Sequence, residues 1–210
     1  MNLSQLNGSN GLILNGEAFY NASNVDGSTP TNSGLQPDFT IADNAGTNVV
    51  NAGDINNDGF DDFVISAANS AANGINGLGR AYVVFGKASG WNSAIDLQNL
   101  NGTNGFIING IYDTTQNLGG NAGYSIAAVG DINNDFFDDF VISAPTLSTN
   151  GPNSATGQSY LILGTSQWSN FLDQGVLELS DVNTLNNRVF LFNNPNSGTQ
   201  LGLGWGPSVM

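Results

Sequence analysis

A fourteen-residue run occurs twice in this chain with a single change. Asp54-Ile-Asn-Asn-Asp-Gly-Phe-Asp-Asp-Phe-Val-Ile-Ser-Ala67 returns 77 positions later as Asp131-Ile-Asn-Asn-Asp-Phe-Phe-Asp-Asp-Phe-Val-Ile-Ser-Ala144. Chance does not produce such a match, and internal repetition at this period points to a stack of similar units rather than one irregular domain. The flanks repeat too. Gly79-Arg-Ala-Tyr-Val-Val-Phe-Gly86 returns as Gly157-Gln-Ser-Tyr-Leu-Ile-Leu-Gly164, and Trp91 returns as Trp168. A third block, Leu3 to Gly16, matches Leu97 to Gly110 at an offset of 94, so an insertion must lie in the first unit between Gly16 and Gly46.

The units divide as residues 1–16, the last strand of a preceding unit; 17–45, an inserted loop; 46–110 and 111–192, two whole units; and 193–210, the start of another. In this register a third acidic loop is expected at about position 210. Short β-branched and aromatic runs bounded by Gly, Asn, Asp or Pro read as strands. They are Phe63–Ser66, Ala81–Phe85, Phe106–Ile108, Tyr124–Val129, Phe140–Ser143, Tyr160–Leu163 and Val189–Phe192. Each unit offers about four, nearly continuous in apolar residues, which suits sheets covered on both faces. The expected fold class is all-β: β-propeller blades in a partial propeller, two four-stranded antiparallel blades with half-blades at the ends.

Composition narrows the chemistry. With 17 acidic residues against Arg80, Lys87 and Arg188, the net charge is -14. No nucleic acid partner is expected, because binding the phosphate backbone needs clustered cations. No membrane insertion is expected either, since no apolar run approaches the ~20 residues a spanning helix needs. The N terminus lacks the basic start and apolar stretch of a signal peptide. Histidine and cysteine are absent, which excludes His-dependent triads, thiol nucleophiles, zinc sites of nitrogen and sulfur, and disulfides. The remaining metal chemistry is that of oxygen. The 33 Asn and 28 Gly favour tight turns over helices.

Eight of the 17 acidic residues sit in the two repeated loops. In the first, Asp54, Asn56, Asp58 and Asp62 stand at positions 1, 3, 5 and 9, with Gly59 at position 6 allowing a sharp turn that brings the Phe60 carbonyl inward. Such an oxygen set suits calcium, Ca2+, better than magnesium with its stricter octahedron. Ile65 at position 12 and strand-like flanks separate the loop from an EF-hand; it joins two strands of a hairpin. Asp and Asn also cap tight turns without any metal. Two copies that keep every oxygen position favour the metal. Asp131, Asn133, Asp135 and Asp139 form the second set, but Phe136 replaces the glycine, so weaker binding is expected there. Asp61 and Asp138, at position 8, are expected to point away, solvated or bonded to the loop backbone. Trp91 and Trp168 read as packing residues between units, and Asn7-Gly-Ser and Asn101-Gly-Thr as turns.

The run Gly53 to Ala67, the Ser143-Ala144-Pro145 ending its second copy and Phe85-Gly86 resemble the FG-GAP repeat of integrin alpha-subunit β-propellers and of many secreted bacterial proteins. The likeness covers about residues 3–210. It implies seven blades in the complete fold and calcium in the loop between a blade's first two strands, held by Asp54, Asn56, Asp58, the Phe60 carbonyl and Asp62, then by Asp131, Asn133, Asp135, the Phe137 carbonyl and Asp139. Ala67-Ala68, Leu163-Gly164 and Phe136 depart from the pattern. Two blades cannot close a ring, so the expectation is a piece of a longer chain or a homo-oligomer that completes the circle. The expected role is a non-enzymatic, calcium-binding extracellular or cell-surface module for adhesion or contact with a protein or glycan ligand. The alternatives are an accessory domain of a secreted hydrolase and a carbohydrate-binding, lectin-like module.

Overall fold

A computed structural model describes residues 5–20, 40–71, 77–113, 118–147, 157–185 and 187–193. The inserted loop beyond its ends and, apart from Asn193, the expected further blade at 193–210 with its third acidic loop lie outside the described residues. The strands in chain order are β1 (Ile13–Asn15), β2 (Ala18–Tyr20), β3 (Thr40–Ala42), β4 (Val49–Gly53), β5 (Asp62–Ala67), β6 (Arg80–Val84), β7 (Ala94–Asp96), β8 (Gly105–Asn109), β9 (Tyr112–Asp113), β10 (Leu118–Gly119), β11 (Ile126–Gly130), β12 (Asp139–Ala144), β13 (Gln158–Ile162), β14 (Val176–Glu178) and β15 (Val189–Asn193). The fold is all-β, and every expected run is a strand, shifted by a residue or two at its ends.

Strands β4, β5, β6 and β8 form one antiparallel sheet in that order; β11, β12, β13 and β15 form the second. The acidic loops are the β4–β5 and β11–β12 hairpin connections. Register agrees between copies: Val50 opposes Val64 and Gly53 opposes Asp62, as Ala127 opposes Val141 and Gly130 opposes Asp139. A bulge stands just before each loop, at the left-handed Gly53 (φ 75) and Gly130 (φ 68).

The sheets stack face to face. Val64, Val83, Phe106 and Ile108 of the first share a core with Ile126, Phe140, Ile142, Tyr160 and Ile162 of the second. On the first sheet's other face, Ile65, Tyr82, Val84 and Ile107 form a second cluster with Leu97 and Leu100, against which Leu14, Trp91 and Ile95 pack. Both faces are therefore dry, which is why the runs lack alternation. Each fully buried side chain of this size contributes about 1.5–3 kcal/mol. On the second sheet's outer face Phe190 and Phe192 are exposed.

One device departs from the expected four-stranded pattern. Strand β14 lies between β13 and β15 in the chain, yet it leaves its own sheet and pairs in parallel with β8 of the preceding unit, Leu177 opposite Ile108. Strand β7 does the same with β1, Leu14 opposite Ile95. A side-chain clamp repeats with the pairing: Asn109 Nδ2 donates to Glu178 Oε1 at 2.6 Å, and Asn15 Nδ2 to Asp96 Oδ1 at 2.7 Å. These three-residue strands are too short to show periodicity.

Candidate metal centre

Both loops are wound alike. In the first, Asp54 accepts from the backbone N–H groups of Asp58 (3.0 Å) and Gly59 (2.8 Å), Asn56 Oδ1 from Asp58 N–H (2.9 Å) and Asp58 Oδ1 from Phe60 N–H (3.0 Å). In the second, Asp131 accepts from Asp135 (3.0 Å) and Phe136 (2.8 Å), Asn133 from Asp135 (3.2 Å) and Asp135 from Phe137 (3.2 Å). Positions 1, 3 and 5 thus turn their oxygens into the same small space. The Asn at position 3 also donates to the Asp at position 5, at 3.0 Å in each copy. Position 4 is left-handed too, in Asn57 (φ 57) and Asn134 (φ 61), and Asn is among the few side chains that adopt this without a large penalty. Position 6 is left-handed in both: Gly59 at φ 92 and Phe136 at φ 72.

Position 9 differs in setting. Asp62 is 1% exposed and Asp139 0%, at the foot of each hairpin. Asp62 accepts from Ile55 N–H (3.1 Å) and Gly86 N–H (2.7 Å); Asp139 accepts from Ile132 N–H (3.0 Å) and Gly164 N–H (2.9 Å). Burial pushes the Asp62 carboxyl up to about 7, with Asp58 and Asp54 adding to the rise and the two N–H bonds opposing it. Asp139 is raised for the same reasons. Phe60 and Phe137, whose carbonyls complete the expected set, occupy the descending limb of each loop.

This doubled hairpin, wound identically around its oxygens, coincides with a repeat known from other proteins. The FG-GAP repeat profile matches residues 45–84 and 122–162. The chain carries two FG-GAP repeats. No curated protein matches it. Each FG-GAP match runs from just before a sheet's first strand to its third, with the acidic loop at its centre.

The residues fit a hard divalent cation in donor type. Turn capping and cation binding are compatible, because a carboxylate has about four acceptor sites and the capping bonds use two on Asp54. Among the described residues, no three carboxylates are gathered into a ready-made cage. Each FG-GAP loop instead combines two forward carboxylates, one amide and the buried carboxylate behind them. Bound calcium would supply the positive charge that this buried carboxylate lacks.

Two features separate the loops, and neither was legible from spacing. Arg188 donates to Asp135 Oδ2 at 3.1 Å and to the Gly164 carbonyl at 3.0 Å, so the second loop already holds a cation. In the first unit Asn104 stands in the corresponding place, its carbonyl accepting from Phe85 as that of Arg188 accepts from Leu163. The second feature corrects the expectation for position 8. Asp138 reaches the other repeat, accepting from Asp54 N–H at 2.9 Å, while its own N–H donates to the Asp54 carbonyl at 3.2 Å. Thr165 N–H adds a bond to the Ile55 carbonyl at 2.8 Å. A Cβ on Gly53 would stand 2.1 Å from Asp138 Oδ2, so glycine is needed there for the docking as well as for its φ. Among the described residues, Asp61 accepts only from the exposed Asn51 side chain, at 3.0 Å.

Trp168 packs between units as expected, whereas the ring contact of Trp91 lies within its own unit. Trp168 lies 4.5 Å from Phe106 of the other unit, centroid to centroid, and Trp91 lies 6.4 Å from Phe63. Asn7 and Asn101 close turns, each Oδ1 accepting from the backbone N–H two residues on, at 3.0 Å.

Proposed function

We propose that this chain is a calcium-stabilised, non-enzymatic propeller module that works by contact with other molecules, in adhesion or protein binding outside the cell. The FG-GAP repeats indicate a β-propeller-like module of a kind common in adhesion and extracellular proteins. What carries the calcium reading is the recurrence, in both hairpins, of inward-turned oxygens at positions 1, 3 and 5 above a buried carboxylate at position 9. The ion acts structurally: it neutralises a loop whose charges would otherwise repel one another, and so fixes the hairpin and the seam between units.

Catalysis finds no support in the site, since the loop carboxylates are engaged in winding their own turns and the chain has no histidine or cysteine to move protons or attack substrate. The test is thermal denaturation in millimolar calcium against excess EGTA, with calorimetric calcium titration alongside. Calcium is expected to raise Tm and to bind at two unequal sites. Identical melting curves, with no heat of binding, would refute the metal role.

A further inference from the structure

A cavity of about 750 Å³ opens between the two repeats, beside the first acidic loop. Its wall runs from Asn56 and Asp58 through Phe85 to Asp96, past Asn99 and Asn104, and closes on Ser166 to Ser169 of the second unit. That volume falls within the range of small-molecule sites. We infer that this cleft binds a neutral carbohydrate, through the indole N–H of Trp168, the ring of Trp91 and the side-chain amides around them.

Three observations select that class. First, Trp168 lines the cavity and is 4% exposed, yet its indole N–H has no acceptor among the described residues. A buried donor without a partner carries a penalty that a ligand oxygen or a bound water at the cavity's end removes. Second, the polar lining is rich in amides. Asn92 and Asn99 are exposed with no partner among the described residues, and Asn104 uses only its oxygen, on Asn101 N–H at 3.1 Å. An amide both donates and accepts, and so does each hydroxyl of a sugar, which makes the two chemically matched. Third, the charge is wrong for an anion. Among the described residues Lys87 is the one basic group lining the cavity; its ammonium is tied to the Gly90 carbonyl at 2.9 Å and sits 4.8 Å over the Trp91 ring, while Asp58 and Asp96 face any anionic group. Trp91, half-buried in the cavity wall, supplies apolar surface on which the C–H face of a pyranose packs.

This deepens the contact-module reading by naming a ligand class, and it does not require the calcium. The experiment is a titration of the whole 15N-labelled chain with neutral methyl glycosides and disaccharides, run in calcium and in EGTA and read at the indole N–H resonances. The Trp168 signal is identified by its loss in Trp168→Phe. It is expected to shift saturably with at least one sugar. Trp168→Phe, which keeps a ring against Phe106, and Asn99→Ala are each expected to weaken binding about three- to tenfold, read by saturation-transfer difference. No saturable response from the folded chain overturns the proposal, and so does binding that both substitutions leave unchanged. A response to a peptide library, lost in the same variants while sugars give none, overturns it in favour of a protein ligand. A calcium-raised Tm without sugar binding sinks the carbohydrate site alone and leaves the metal reading standing.

Discussion

Asp138 and Asp61 occupy the same position in the repeat and differ only in what they touch, so replacing each in turn isolates the bond between units. Asp138→Ala removes the acceptor at 2.9 Å from Asp54 N–H and leaves that donor facing the seam. A hydrogen bond to a charged group contributes about 1.5–3 kcal/mol. Asp54 and Asp138 are half-buried, and screening brings the expected loss to about 1–2 kcal/mol. For a chain of this size that corresponds to about 2–8 °C in Tm. Asp61→Ala loses one exposed contact with Asn51 and is expected to stay within about 0.5 kcal/mol of the parent. Asp138→Asn retains a carbonyl oxygen and is expected to recover part of the loss. The assay is urea unfolding of the three variants and the parent, in calcium and in EGTA. Calcium titration adds a second readout, because Asp54 heads the first loop and its backbone is tethered by Asp138. Equal effects from Asp61 and Asp138, or none from either, would refute the view that the loops are docked on each other.

Three further outcomes follow from the geometry. Phe136→Gly relieves a left-handed φ of 72 at a side chain 79% exposed; it is expected to stabilise the fold by about 1 kcal/mol in urea unfolding and to tighten the weaker calcium site, and a loss of stability would contradict the strain argument. Arg188→Gln takes the guanidinium from Asp135, so calorimetry should show several-fold tighter calcium binding at the second loop and an unchanged first loop. Gly79→Ala places a Cβ 2.1 Å from the Ala122 backbone nitrogen, at φ 77 and beside the parallel bridge between the units; a loss of more than about 2 kcal/mol is expected in thermal unfolding, and near-neutral behaviour would show that the seam can open.

Much of the fold was legible because the repeat speaks twice. Runs such as Asp62–Ala67 and Asp139–Ala144 are long and apolar enough to read as buried strands, and the loops between them carry their spacing in plain view. The left-handed backbone at Phe136 followed from the Gly59 it replaces. Whatever depends on which unit a residue touches was not legible. Asp138 and Asp61 look identical in sequence, and only the stacking of sheets makes one a cross-unit acceptor. Arg188 lies 53 positions from Asp135, outside any motif, and reaches the loop only because β13 and β15 are neighbours. Strands β7 and β14 were missed because three residues cannot establish a period and because their partners belong to the preceding unit.

That borrowing of an edge has a practical consequence for anyone cutting the protein into pieces. A fragment ending at Gly110 would carry a complete copy of the first motif, yet the rim of its sheet would lie bare, because the segment that sheathes it, Val176–Glu178, is encoded more than sixty residues downstream. Cleavage sites for dissecting the molecule should therefore fall after Glu178, so that each excised piece keeps the sliver of its successor that seals it.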